Sequence, residues 1–220
     1  MSSDKDDSHL RWENLESETR YDAGIFRLRS VRRRSPDGVK APFISLDAPD
    51  WVTIIPELEE GSDPLFLMVR QYRHGSEMVE MEFPAGVIDA GEKPVQAAAR
   101  ELLEETGYQA AELREIGSVS PNPAFMTNRT YTFLGRGLQK ISGQNLDEHE
   151  ILDVHQMSYS ALKDKLGFRP YDNAITLQAW FFYLRESGRI QGRSLQGSPG
   201  GTTDRSDTLQ KQNHSHGGGL

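Results

Sequence analysis

The sequence predicts one α/β layered domain, and three observations carry that expectation. Short runs rich in strand formers recur through residues 24–134, separated by turn residues. One stretch of high helix propensity interrupts them near residues 94–107, and two helical patterns follow at 159–166 and 173–186. The order is strands, one helix, strands, then helices, with no internal repeat or second composition block. A single sheet covered by helices, of α+β or α/β class, satisfies that order.

Taken in order, residues 1–10 are polar and predict a disordered N-terminus. In 24–34, Phe26 and Leu28 alternate with Arg27 and Arg29. Ser35-Pro36-Asp37-Gly38 then signals a turn, and 39–46 returns as a strand, so a β-hairpin precedes the rest. Arg32, Arg33 and Arg34 read as a solvated basic cluster beside that turn, with phosphate contact as the alternative. Residues 51–55 and 65–70 are expected as strands, broken by Pro56 and by Gly61-Ser62-Asp63-Pro64.

Residues 80–83 lead directly into Pro84-Ala85-Gly86. Pro94 suits the first turn of a helix, Gly107 suits its end, and residues 95–103 between them favour helix throughout. Residues 116–119 and 130–134 read as strands around Ser120-Pro121-Asn122-Pro123-Ala124-Phe125. The last helix carries Ile175, Leu177, Ala179, Trp180, Phe182, Tyr183 and Leu184, dense enough to pack on a core. From residue 188 the chain turns to Gly, Ser, Gln and Thr. Residues 188–220 are expected to be disordered, because they bury too little apolar area to offset their ordering entropy. The domain would then span 11–187.

Composition narrows the function. A net charge of -8 argues against a general binder of nucleic acid or of membrane surfaces. The absence of cysteine excludes disulfides, thiolate metal sites and a cysteine nucleophile. No apolar run has signal-peptide or membrane-spanning length, so a cytoplasmic location is expected.

The chemistry concentrates on the first helix. Glu101 precedes Glu104 and Glu105 by three and four residues, which places three carboxylates close together on one face. Like charges at that spacing repel, and Arg100 is the only nearby intrahelical relief. A divalent cation is the natural partner: carboxylate oxygens suit hard ions such as Mg²⁺ or Mn²⁺, which commonly bind through a few carboxylates and substrate phosphates.

The same residues belong to a longer pattern. Gly86, then Glu92, then Arg100-Glu101-Leu102-Leu103-Glu104-Glu105-Thr106-Gly107-Tyr108 resembles the Nudix box, and all seven fixed positions match. Each such residue type has a background of roughly 5 to 10%, so a chance match at a given start is on the order of 10⁻⁸. Tyr108 stands where the family usually has an aliphatic residue. Gln71-Tyr72-Arg73 followed by Glu82-Phe83-Pro84-Ala85-Gly86 is similar to the ADP-ribose pyrophosphatase branch, as is Pro123 beyond the box.

The resemblance implies an α/β/α sandwich with a mixed sheet, and a Mg²⁺-dependent (or Mn²⁺-dependent) hydrolase of a nucleoside diphosphate linked to another moiety. ADP-ribose, cleaved to AMP and ribose 5-phosphate, is the leading substrate; a broader nucleotide-sugar or dinucleoside-polyphosphate hydrolase is the alternative, and a non-catalytic nucleotide sensor the third. Glu101 and Glu105 would be the main metal ligands, joined by Glu104 and the Ala85 carbonyl. Glu92 would pair with Arg100, with Gly86 and Gly107 as structural residues of the box. Arg73, Glu82, Phe43 and Pro123 would contact substrate, with Trp51 and Phe125 as further aromatic candidates that equally suit core or rim positions.

The general base would come from Asp147-Glu148-His149-Glu150, with Glu148 or Glu150 favoured over His149. The branch also implies a homodimer in which residues about 20–50 contact the neighbour, a small-molecule substrate, and no nucleic-acid or membrane partner.

Overall fold

In the computed structural model, residues 7–190 are described. A short 3₁₀ turn, Ser8–Leu10, leads into β1 (Glu13–Asp22), β2 (Arg27–Arg34), β3 (Lys40–Asp47), β4 (Trp51–Glu59), β5 (Leu65–Arg73), β6 (Met78–Glu82) and β7 (Ala85–Val87). Then come α1 (Pro94–Thr106), β8 (Tyr108–Gln109), β9 (Glu112–Val119), β10 (Thr130–Arg136), β11 (Gln139–Lys140), β12 (Leu152–Ser158), α2 (Tyr159–Lys165) and α3 (Ala174–Glu186).

The main sheet runs β12-β5-β4-β10-β9, with β6 added beside β5 and β7 beside β4. β4 and β10 are parallel and the other pairs antiparallel, so the sheet is mixed. Alternation along β4 decides what each face packs on. Val52 and Ile54 join Ala97, Ala98 and Leu102 of α1 on one face. Ile55 joins Leu162 of α2 and Trp180, Phe182 and Tyr183 of α3 on the other. The α/β expectation, a mixed sheet between helices, is borne out.

Aromatic packing anchors α3. Phe66 meets Tyr183 edge-on at 5.0 Å and Trp180 at 5.7 Å between ring centroids. Fully burying such a side chain contributes roughly 1.5–3 kcal/mol. Gly117 leaves room for the Phe182 ring, which a Cβ there would meet at 2.4 Å. Beneath the helix, buried Glu57 accepts from Tyr183 Oη at 2.8 Å and Arg136 Nε at 2.6 Å, so its carboxylate is satisfied.

Two sequence expectations need correction. Pro56 does not end its strand, because β4 continues to Glu59. Ile54 turns its N–H away from β10 and donates to Pro84 O at 2.8 Å. Two residues on, Pro56 faces that same side, where β4 changes partner from β7 to β5, so its missing N–H leaves no ladder bond unmade. The second correction is that the N-terminal hairpin is a three-stranded sheet, β1-β2-β3.

β1 escaped detection because it is exposed almost throughout and has no alternating apolar pattern. Charge and pairing hold it to β2: Arg34 reaches Glu13 at 2.9 Å, Arg27 reaches Asp22 at 3.2 Å and Arg32 reaches Glu16 at 4.0 Å. The basic cluster at 32–34 is therefore partnered mainly within its own sheet. At the chain ends, residues 7–10 form an exposed turn, and residues 188–190 include N–H bonds from Arg189 and Ile190 to Leu184 O. The rest of both expected disordered segments, 1–6 and 191–220, lies outside the described residues.

Candidate active site

α1 starts where Pro94 stands in its first turn, with the Gln96 side chain accepting from Lys93 N at 3.0 Å. It stops at Gly107, whose φ of 75° is left-handed and whose N–H donates to Leu103 O at 2.8 Å. A Cβ on Gly107 would also meet Ser142 O at 2.4 Å, so both conformation and space call for glycine. Tyr108, where an aliphatic residue was expected, is half-buried with Lys140 Nζ 5.7 Å from its ring centre.

The loop before α1 is locked to it. Arg100 donates to Glu92 twice, at 3.1 and 3.0 Å, and to Val87 O at 2.9 Å, while Glu92 also accepts from Asp89 N at 3.1 Å. Those donors hold the Glu92 pKa low, the Arg100 bond most of all. Gly86 passes so close to α1 that a Cβ would meet Glu101 Oε1 at 2.0 Å. Any side chain there would push the Glu101 carboxylate aside.

Glu105 is only 2% exposed and accepts from Ala85 N at 3.2 Å. Burial, then the charges of Glu101 and Glu150, push its pKa well above the ordinary carboxylate value. Burial likewise raises Glu101, against the opposing bond from Arg100. Arg100 Nη1 lies 2.7 Å from Glu101 Oε1 and 3.1 Å from Glu104 Oε2. With Glu101 and Glu104 turned to that guanidinium, no three His, Asp or Glu side chains among the described residues converge on one point. The donor set nevertheless fits a hard divalent cation: it is all carboxylate oxygen, and buried Glu105 and half-buried Glu101 repel each other in a way that a cation would relieve.

The acidic loop is pinned to the same helix end. Carbonyls left over at the C-terminus of α1 accept from Gln144 Nε2 (Glu105 O, 2.8 Å) and Asn145 N (Glu104 O, 2.8 Å). Gln144 Nε2 also reaches Leu152 O at 3.3 Å, tying the start of β12 to α1. The turn between them, closed by Glu150 N to Asp147 O at 3.0 Å, brings Glu150 into electrostatic reach of both Glu101 and Glu105. Glu148, His149 and Glu150 are all exposed, and of the three it is Glu150 that stands among the main electrostatic influences on those two carboxylates.

Beside β7, a cavity of about 280 Å³ is lined by Trp51, Thr53, Arg73, Glu82, Ala85 and Asn173, among others. Arg73 forms a forked pair with buried Glu82, Nε to Oε1 at 2.9 Å and Nη2 to Oε2 at 2.6 Å. Burial works against the Arg73 charge, and the Glu82 bonds outweigh it, leaving its pKa raised. The remaining N–H groups of Arg73 have no partner among the described residues, and its side chain is 40% exposed, so they are free to meet an anion. Glu82 touches the cavity with its oxygens already taken.

The other expected substrate contacts lie elsewhere in this chain. Phe43 sits on β3, edge-on to Trp12 at 5.2 Å. Pro123 and Phe125 are exposed on the loop after β9, which is held to β3 by Leu46 N to Phe125 O at 2.7 Å. Trp51 does line the cavity. Sequence reading missed Asn173, Gln144 and Thr53. Asn173 carried a signal, as a good N-cap ahead of a helical pattern; the other two carried none.

Comparison with known proteins agrees with this geometry. The NUDIX domain family model matches residues 49–178. The chain is 30% identical over 158 residues to an ADP-ribose pyrophosphatase of Bacillus subtilis, covering 71% of this chain and 84% of that protein. It is 28% identical over 181 residues to the ADP compounds hydrolase NudE of Escherichia coli, covering 81% and 94%. A crystal structure of an ADP compounds hydrolase superposes with a TM-score of 0.69 at 24% identity, over 82% of this chain and 97% of that one, a likeness of fold.

Proposed function

Because the chain belongs to the Nudix family, we propose that it hydrolyses the diphosphate of ADP-ribose to AMP and ribose 5-phosphate, with Mg²⁺ as the cation. One observation carries this reading. Ala85 belongs to two places at once: its N–H binds the buried Glu105 of the box, and it lines the cavity that holds Arg73. A diphosphate seated in the cavity therefore lies next to the strand that holds the carboxylate cluster.

Each residue then has a task. Glu101, Glu104 and Glu105, with the Ala85 carbonyl, would hold the divalent cation; when bound, it neutralises charge on the diphosphate and on the leaving oxygen. Arg73 holds phosphate oxygens with the N–H groups that Glu82 leaves free. Glu150 takes a proton from the attacking water as the new P–O bond forms. The bridging P–O bond breaks, and the two monophosphates leave. Glu92 and Arg100 keep the loop against α1.

The purified protein, incubated with ADP-ribose, ADP-glucose, GDP-mannose, NADH and a dinucleoside polyphosphate with and without Mg²⁺, tests the proposal by product mass. Conversion of ADP-ribose to AMP in preference to the others, dependent on Mg²⁺, is expected. Preference for another member would replace the substrate and keep the chemistry. Binding without turnover would overturn the enzyme reading.

A homodimer, working in the cytoplasm, is part of the same proposal. Its support is the N-terminal sheet, which leaves Trp12, Tyr21, Phe43 and Ile44 exposed. Light scattering is expected to give twice the chain mass; a monomer at working concentration would refute it. No helix among the described residues is long and apolar enough to cross a membrane.

A further inference from the structure

We propose that Asn173 is a positioning residue for Arg73, acting through Glu82, so that the N-terminus of α3 sets the affinity of the diphosphate site. The inference rests on the reading of that site given above. Asn173 uses both ends of its amide. Its Oδ1 accepts from Ile175 N at 2.8 Å and Thr176 N at 3.4 Å, capping α3. Its Nδ2 donates to Glu82 Oε1 at 3.0 Å, with a longer contact to Glu80 Oε2 at 3.4 Å.

Glu82 is 3% exposed, and among the described residues its only side-chain partners are Arg73 and Asn173. Arg73 alone would leave the pair free to swing together, since the guanidinium is 40% exposed. Asn173 supplies the bond that ties the Glu82 carboxylate to a second element and so fixes the plane of the fork. The tie is itself anchored: Met81 N donates to Pro170 O at 2.9 Å, docking the segment before α3 onto β6 next to Glu82. A forked donor held in one orientation meets phosphate oxygens without first losing its rotational freedom.

Capping requires only the side-chain oxygen, whereas positioning requires the amide N–H. Ser and Asp cap helices about as well as Asn; the ionised Asp has no proton to donate and the Ser hydroxyl is too short to span from the cap to Glu82, and Asp also places a second carboxylate beside Glu82. Asn173→Ser and Asn173→Asp are therefore expected to keep Tm close to that of the parent. The Ser variant should raise KM for ADP-ribose roughly tenfold, the scale of one hydrogen bond to a charged group, with kcat within about twofold and a larger KM for Asp. In an Arg73→Gln background, Asn173→Ser should add little further to KM, because the two act as one unit.

Unchanged KM in both Asn173 variants would overturn the inference. So would an equal KM rise with and without Arg73, which would mean that Asn173 acts on the ligand or the fold directly. If the Ser variant loses stability, the Asp variant carries the test. Arg73→Gln with an unchanged KM would instead overturn the site reading itself, and this inference with it.

Discussion

Glu105→Gln is expected to lower kcat by about three orders of magnitude and, in the metal-free protein, to raise Tm at neutral pH. The first effect follows from removing a carboxylate of the cation site, where preorganised charge is worth on the order of 10²–10³ in rate or more. The second follows from burial. Glu105 is 2% exposed and faces Glu101 and Glu150, so folding favours its protonated form. Its folded pKa lies above the ordinary 4.5. The stability it contributes is therefore full below that value and is lost as pH rises through the folded pKa.

The metal-free parent should thus weaken relative to Glu105→Gln as pH increases from about 4.5 toward neutrality, and the two melting curves should converge at acid pH. Added Mg²⁺ should restore the parent and leave the variant nearly unmoved. Melting curves across pH, with and without Mg²⁺, check all of this. A variant less stable than the parent at neutral pH without metal would contradict the account of the buried carboxylate.

The second large effect separates two neighbours. Glu150→Gln is expected to lower kcat by roughly 10²–10⁴-fold, the contribution of a positioned general base, whereas Glu148→Gln should stay within about twofold. Glu150 is among the main charges acting on both Glu101 and Glu105. Steady-state kinetics decide it. The reverse result would move the base to Glu148; small, equal effects would take the base out of this loop.

Parts of the site legible in the sequence are those that local geometry determines. Pro94 and Gly107 mark the limits of α1, and the helical repeat alone puts Glu101, Glu104 and Glu105 on one face. The Glu92–Arg100 pairing was legible through the box pattern and is made in the structure by two hydrogen bonds. Outside the box, legibility faded. Phe43, read as a substrate contact, lies edge-on to Trp12 on the separate N-terminal sheet, away from the cavity of its own chain. Pro56 read as a strand end, because which of its two sides lacked a partner depends on where β7 gives way to β5.

By itself the sequence determined the family, the mixed α/β architecture and the carboxylate helix, since each depends on residue type and on spacing along a few turns of chain. Only the tertiary structure brings Glu150 into electrostatic reach of Glu101 and Glu105, through Gln144 and Asn145 holding the loop to the end of α1. Only it could join Asn173 to Glu82, 91 residues apart. Contacts within a helix follow from its repeat, but a contact across that distance exists only once sheet register and helix docking have placed both groups within a hydrogen bond of each other.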